Sequence, residues 1–234
     1  MAHLEKAENG SVGAVNAIPP QQAIGRGPAR RLGNPGPLGL FSFASTTLIL
    51  SLYNVQARGI TTPNVVVGMA LAVGGLAQFL AGMWEFACGN TFGATAFTSY
   101  GGFWMSYAAL FIPGSGILAA YESETELASA LGIYLMTWFT LTFLLFIAAL
   151  RRNMGLVVLF GFLSITFMLL GIGMFHFASN LIREFRASTG VTKAGGAMGI
   201  VTALVAYYVG LAELLTRDDS WFTLPLGQIP KRLD

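Results

Sequence analysis

The sequence predicts an all-α membrane protein with six transmembrane helices, on three observations. Charge is scarce: of 234 residues, 10% are Asp, Glu, Lys or Arg and 54% are hydrophobic, where a soluble domain carries about 25% charged residues. The scarcity is uneven, because half of the 13 basic and 11 acidic side chains lie outside positions 38–215. Between those limits run six apolar stretches, each near the roughly 20 residues a bilayer span requires, with no alternating strand pattern. A mean hydropathy of +0.64 agrees. This composition excludes a disordered protein, a basic-faced nucleic-acid binder and an ordinary soluble enzyme. A net charge of +2 implies no polyanionic partner. The one cysteine, Cys88, excludes a disulfide framework and a cysteine metal cluster.

Residues 1–33 are polar, Gly/Pro-rich and without an apolar run, and are expected to form a disordered cytoplasmic tail. Asn34-Pro35-Gly36-Pro37 then opens the first span, Leu38 to Ala57. Proline suits a first helical turn, and Asn34 or Gly36 can cap or bend the entry. Such a start presents free N–H groups and a positive dipole end, which attract a carboxylate, although most helix starts bind nothing. Phe43, Thr47, Ser51 and Asn54 follow at i, i+4, i+8 and i+11, on one helical face. Lipid would penalise that stripe, so it faces either a neighbouring helix or a water-filled path. Thr and Ser can satisfy themselves on the carbonyl one turn back, Asn54 less easily.

The second span, Val65 to Ala87, carries Gln78 and Glu85 seven residues apart on one face, beside Gly74 and Gly82. The third, Phe92 to Ile112, grows out of Gly89-Asn90-Thr91. Its density of Gly, Thr and Ser predicts burial against protein or water. Thr91, Thr95 and Thr98 share one face, and Tyr100 shares another with Gly93, Ala96, Trp104 and Tyr107. The fourth span is Leu127 to Leu150 and the fifth Met154 to Phe177. His176, near the outer end of the fifth, reads as a packing residue or a proton carrier. The sixth, Val191 to Leu215, ends with Glu213, and residues 216–234 form a cytoplasmic tail. Glu85 and Glu213 each read as a titrating group or as a structural partner of a helix end. Gly74-Gly75, Gly82, Gly171, Gly173, Gly195 and Gly199 permit close helix approach. The connections carry breakers at Gly59, Pro63, Gly89-Asn90, Pro113-Gly114, Arg151-Arg152-Asn153 and Ser179-Asn180.

Six spans put both termini on one side. That side holds nine of the 13 Lys and Arg, while the other holds Arg58, Arg183, Arg186, Lys193 and the acidic run Glu122, Glu124 and Glu126. Both termini are therefore expected in the cytoplasm, with Arg183 and Arg186 disagreeing locally. No HExxH, phosphate-cradling glycine loop or Ser/His/Asp set appears in the spans, so neither enzyme chemistry, cofactor nor metal is expected.

The segment NPGPLGLFSF, Asn34 to Phe43, resembles the N-P-(A/V)-P-L-G-L-x-(G/S/A)-F signature of the acetate/succinate transporter family. GNTFGATAFTSYGGFW, Gly89 to Trp104, and LPLG, Leu224 to Gly227, extend the resemblance over roughly Asn34 to Gly227. Gly36 departs from the signature's Ala or Val; it should loosen the helix entry and removes no functional group. The resemblance implies six-helix protomers in a hexameric ring, each with its own path for acetate and similar small monocarboxylates, and for succinate in some members, commonly with proton coupling. It also implies an apolar constriction of Phe43, Tyr100 and Leu163, the last placed by aligning the fifth helix. The long tail and the motif spelling look fungal, which suggests a plasma membrane.

With no Lys or Arg in the middle of a span, weak carboxylate sites are expected from Asn34, Thr47, Ser51, Asn54, Gln78, Asn90, Thr91 and Tyr100. Glu85, Glu213 and His176 are the candidates for proton coupling. Expected partners are small carboxylates, protons, membrane lipid and further copies of the chain, with no nucleic acid. Two other readings remain: a channel for a neutral solute such as urea or ammonia, and an acetate sensor that signals through its tail.

Overall fold

The computed structural model describes residues 32–179, 185–218 and 220–230. Residues 1–31 of the predicted N-terminal tail, together with Asn180, Arg183, Lys231 and Arg232, lie outside the described residues. Six long helices make up the rest: α1 (Gly36–Asn54), α2 (Val66–Ala87), α3 (Thr91–Phe111), α4 (Glu124–Ala149), α5 (Met154–Ser179) and α6 (Phe185–Leu214). Strand pairing among the described residues is limited to one isolated bridge, Asn153 with Gln228. All but α3 are long and apolar enough to cross a membrane. At 21 residues α3 reaches about 31 Å, a full span in length. Its small and hydroxyl residues lower its hydropathy; Gly93, Ala94, Ala96, Gly101 and Ala108 are buried in the bundle, while Thr91, Thr95 and Ser106 are exposed.

Each boundary has a local cause. Asn34 Oδ1 accepts the Gly36 N–H at 2.9 Å, Asn90 Oδ1 the Gly93 N–H at 3.2 Å, and Asn153 Oδ1 the Leu156 N–H at 2.9 Å. Three asparagines thus satisfy first-turn donors of α1, α3 and α5. Ser123 accepts from Glu126 at 3.5 Å, and Glu124 and Glu126 complement the positive end of α4. The first helix stops at Asn54, three residues before the expected Ala57, where Gln56 and Arg58 take left-handed backbone angles (φ 58° and 54°). The sixth starts at Phe185, six residues before the expected Val191.

The α1 helix packs on α6, α5 on both α4 and α6, and α2 on α3. Close approach relies on missing Cβ atoms. At Gly39 a Cβ would lie 2.6 Å from the Phe97 ring, at Gly74 2.7 Å from Thr46 Oγ1, and at Gly199 it would strike Ser51 Oγ. Within α2 the backbone widens to a π-helical turn over Ala72–Ala77. The extra residue rotates the following half of the helix by about 100° relative to the preceding half. That turn was not foreseen.

The described part of the predicted C-terminal tail is folded back against the bundle. Met154 N–H donates to the Gly227 carbonyl at 2.9 Å, Gly155 N–H to Leu226 at 3.2 Å, and Ile229 N–H to Arg152 at 3.3 Å. Tyr208 Oη donates to the Pro225 carbonyl at 2.7 Å. Gly227 makes this turn with φ +63°, against the side chain of Met154.

Candidate functional site

Alternating helix directions bring the starts of α1, α3 and α5 to the same end of the bundle as the ends of α2, α4 and α6. This end is the base. A cavity of about 600 Å³ opens there. It is lined at its mouth by Glu85, Asn90, Arg151, Arg152, Glu213 and Gln228, and more deeply by Gln78, Phe43, Tyr100 and Phe160. A second cavity of about 90 Å³ carries Thr47, Ser51, Asn54, Trp104 and Leu163, and a third of about 470 Å³ opens at the far end. Phe43 borders the first and second, while Asn54, Met174 and Thr192 border the second and third. The three therefore follow one another along α1.

Between the first two stand Phe43, Tyr100 and Leu163, exposed by 4%, 2% and 2%. The Phe43 and Tyr100 rings are 5.5 Å apart, and Phe160 stacks on Tyr100 at 6.3 Å. Thr142 Oγ1 donates to the Trp138 carbonyl at 2.7 Å, so its one hydrogen is used and Tyr100 Oη donates to it at 2.8 Å. This corrects the expectation that Tyr100 offers its hydroxyl to a carboxylate. The tyrosine contributes its ring.

Of the α1 stripe, Thr47, Ser51 and Asn54 all line the second cavity. Three buried polar groups along these cavities have no partner among the described residues, namely Gln78 with both amide atoms, Thr47 Oγ1 and Trp104 Nε1. Gln78 is fully buried. An orphaned buried polar group costs about 1–3 kcal/mol, so each marks a place where water or a ligand supplies the bond. Trp104 was missed as a site residue, although it shares the Tyr100 face in the sequence.

The mouth is a polar network. Asn90 Nδ2 donates to Glu85 Oε2 at 2.9 Å, and Arg152 Nη1 to Asn90 Oδ1 at 3.4 Å. The Arg152 guanidinium lies 4.2 Å above the Phe92 ring. Burial lowers the Arg152 pKa and the Glu85 carboxylate opposes that, leaving the guanidinium charged. The two arginines had been read only as loop charges. Their signal was position, a basic pair in the loop that shares an end with Glu85.

Other expected residues go elsewhere. Asn34 is absent from the cavity lining; its Oδ1 accepts the Gly36 N–H. Thr91 is exposed and outside the lining, and its carbonyl accepts from Thr95. His176 is half-buried and lines none of the three cavities. Gly36 does more than loosen the helix entry: a Cβ there would collide with Glu213 Oε2, so its absence makes the notch that this carboxylate occupies.

The family model described as GPR1/FUN34/yaaH matches residues 17–231. The chain belongs to the GPR1/FUN34/yaaH family. Ammonia transport outward protein 2 of Saccharomyces cerevisiae is 45% identical to it over 87% of this chain and 69% of the relative. Acetate permease A of Emericella nidulans is 41% identical over 86% and 68%. Among the curated fungal relatives it matches, the chain spans as little as 65% of the relative's length. The bacterial counterpart is matched almost end to end. The succinate-acetate/proton symporter SatP of Escherichia coli is 34% identical over 85% of this chain and 97% of its own length. The solved structure of the bacterial acetate channel SatP superposes with a TM-score of 0.71 at 33% identity, covering 84% of this chain and all of that one. The helical bundle is thus that of a multi-pass membrane protein.

Proposed function

We propose that this chain moves acetate and similar small carboxylates, succinate among them, across a membrane by one path per protomer, and that it is not an enzyme. The observation that carries the reading is the set of partnerless buried donors, Gln78, Thr47 and Trp104, on the two sides of the Phe43, Tyr100 and Leu163 constriction. An amide, a hydroxyl and an indole N–H bind a carboxylate without a buried cation. Conduction needs binding weak enough to release. The apolar ring fits the methyl end of acetate while polar groups on either side exchange the carboxylate. The printed names of acetate permease A and SatP support the same class of substrate.

Arg151 and Arg152 at the base concentrate anions outside the constriction. The coupling is proton symport or channel-like flow. The chain is read as a hexamer in the plasma membrane with both termini cytoplasmic, supported by the family resemblance, the fungal relatives and the excess of basic residues at the base. Labelled acetate flux in proteoliposomes, with and without an imposed pH gradient, tests the function. Flux in both conditions supports a channel, and flux that follows the gradient supports symport. Liposomes that remain impermeable to acetate overturn the proposal. A second reading, movement of ammonia, draws on the name of the yeast relative. Ammonium flux exceeding acetate flux in the same vesicles would favour it.

A further inference from the structure

Two helix starts at the base are built alike. At α1, Asn34 Oδ1 accepts the Gly36 N–H at 2.9 Å, and Glu213 Oε2 fills the space a Cβ on Gly36 would take. At α3, Asn90 Oδ1 accepts the Gly93 N–H at 3.2 Å and Asn90 Nδ2 donates to Glu85 Oε2 at 2.9 Å. A Cβ on Gly93 would collide with Asn90 Nδ2 and lie 3.0 Å from Glu85 Cδ. In each, an asparagine caps the helix, a glycine leaves room, and a glutamate from the end of another helix lies against it, filling the notch itself at Gly36 and sharing it with Asn90 at Gly93. A carboxylate at a helix N-terminus is where a carboxylate substrate would also be held.

Both glutamates line the 600 Å³ cavity, whose other charged or titratable groups are Arg151, Arg152 and, more deeply, Tyr100. Gln78, fully buried with a partnerless amide, lines the same cavity. That second observation marks the cavity as a place for a polar ligand.

We propose that Glu213 and Glu85 are resident competitors of the substrate anion: each ionised carboxylate holds a helix start against it, and protonation of either releases that start to a carboxylate from solution. The proton comes from cavity water and adds to the carboxylate, turning an anion into a neutral acid. The notch then loses one negative charge as the substrate brings one, so charge at the mouth balances. Acetate entry is thereby linked to proton uptake without an intramembrane histidine or lysine. Glu213 is the cleaner of the two, because Glu85 is also tied through Asn90 to Arg152.

The inference rests on the acetate reading, and its test separates the two. Acetate affinity of the full chain in detergent is read from the acetate-dependent rise in unfolding temperature, at about pH 6 and about pH 8, where a small carboxylic acid is itself ionised. The unaltered chain should bind more weakly at the higher pH. Glu213→Gln should tighten binding there by about threefold to tenfold and flatten the pH dependence. Gly36→Ala should do the same while removing no titratable group, because its Cβ collides with the end of the flexible Glu213 side chain; it also lies 3.0 Å from Asn34 Oδ1. It keeps the proposal testable should Glu213→Gln fold poorly. Affinities at the higher pH that are unchanged or weaker in both variants overturn the proposal. Acetate flux with one pH profile across all three proteins overturns it too and leaves the transport reading intact. Binding that shifts as expected in a chain without flux keeps the device and removes the transport reading.

Discussion

At the constriction, the Phe43 and Tyr100 rings meet at 5.5 Å and the Tyr100 hydroxyl is held by Thr142. Tyr100 is thus held to α4, while the Phe43 ring makes no hydrogen bond. Phe43→Ala is expected to raise propionate or lactate flux relative to acetate by about tenfold, the scale of discrimination by one methylene in an apolar pocket. An unchanged ratio in labelled uptake would place selectivity elsewhere. Gln78 is the residue whose role splits cleanly between stability and function. Gln78→Leu removes a fully buried amide with no partner. It should therefore raise the unfolding temperature while weakening acetate affinity about tenfold. A drop in both would mean that Gln78 is a packing residue.

Among the elements, α1 and α2 owe their contact to Gly74, where a Cβ would lie 2.7 Å from Thr46 Oγ1 and 2.8 Å from Trp104 Cδ1. Both neighbours belong to other helices, so the clash cannot be relieved within α2. Gly74→Val should cost about 1–3 kcal/mol and lower the unfolding temperature in detergent. An unchanged midpoint would show that α2 slides freely along its π-helical turn. The returning segment at residues 224–229 ties the α4–α5 connection by three backbone hydrogen bonds and brings Gln228 and Ile229 to the mouth of the first cavity. Deleting residues 224–234 should destabilise the fold, since each such bond contributes about 0.5–1.5 kcal/mol. A truncated chain that melts like the full one would make that segment dispensable.

For the whole molecule, orientation is the open geometric quantity, and Cys88 is a natural reporter of it. It is the chain's one cysteine, it is exposed, and it sits at the base beside Glu85 and Asn90. A membrane-impermeant maleimide should label it in inside-out vesicles and spare it in right-side-out ones. Labelling from the outside alone would invert the assignment.

The sequence by itself determined the number of spans, the breakers between them and the polar stripe on α1, because these are local: periodicity and composition act within one helix. The signature motifs likewise singled out Phe43 and Tyr100, which line the first cavity. What tertiary structure alone decided are the pairings between distant segments. Glu213 reaching the notch of Gly36, Thr142 taking the Tyr100 hydroxyl, Arg152 joining Glu85 through Asn90, and Leu226 and Gly227 binding the start of α5 all join separate elements. So does the absence of any partner for Gln78. A carboxylate at a helix end looks the same in sequence whether it meets water, an arginine or the start of another helix. Packing set Glu85 against the capping Asn90 and Glu213 against Gly36, where a missing Cβ leaves room for it.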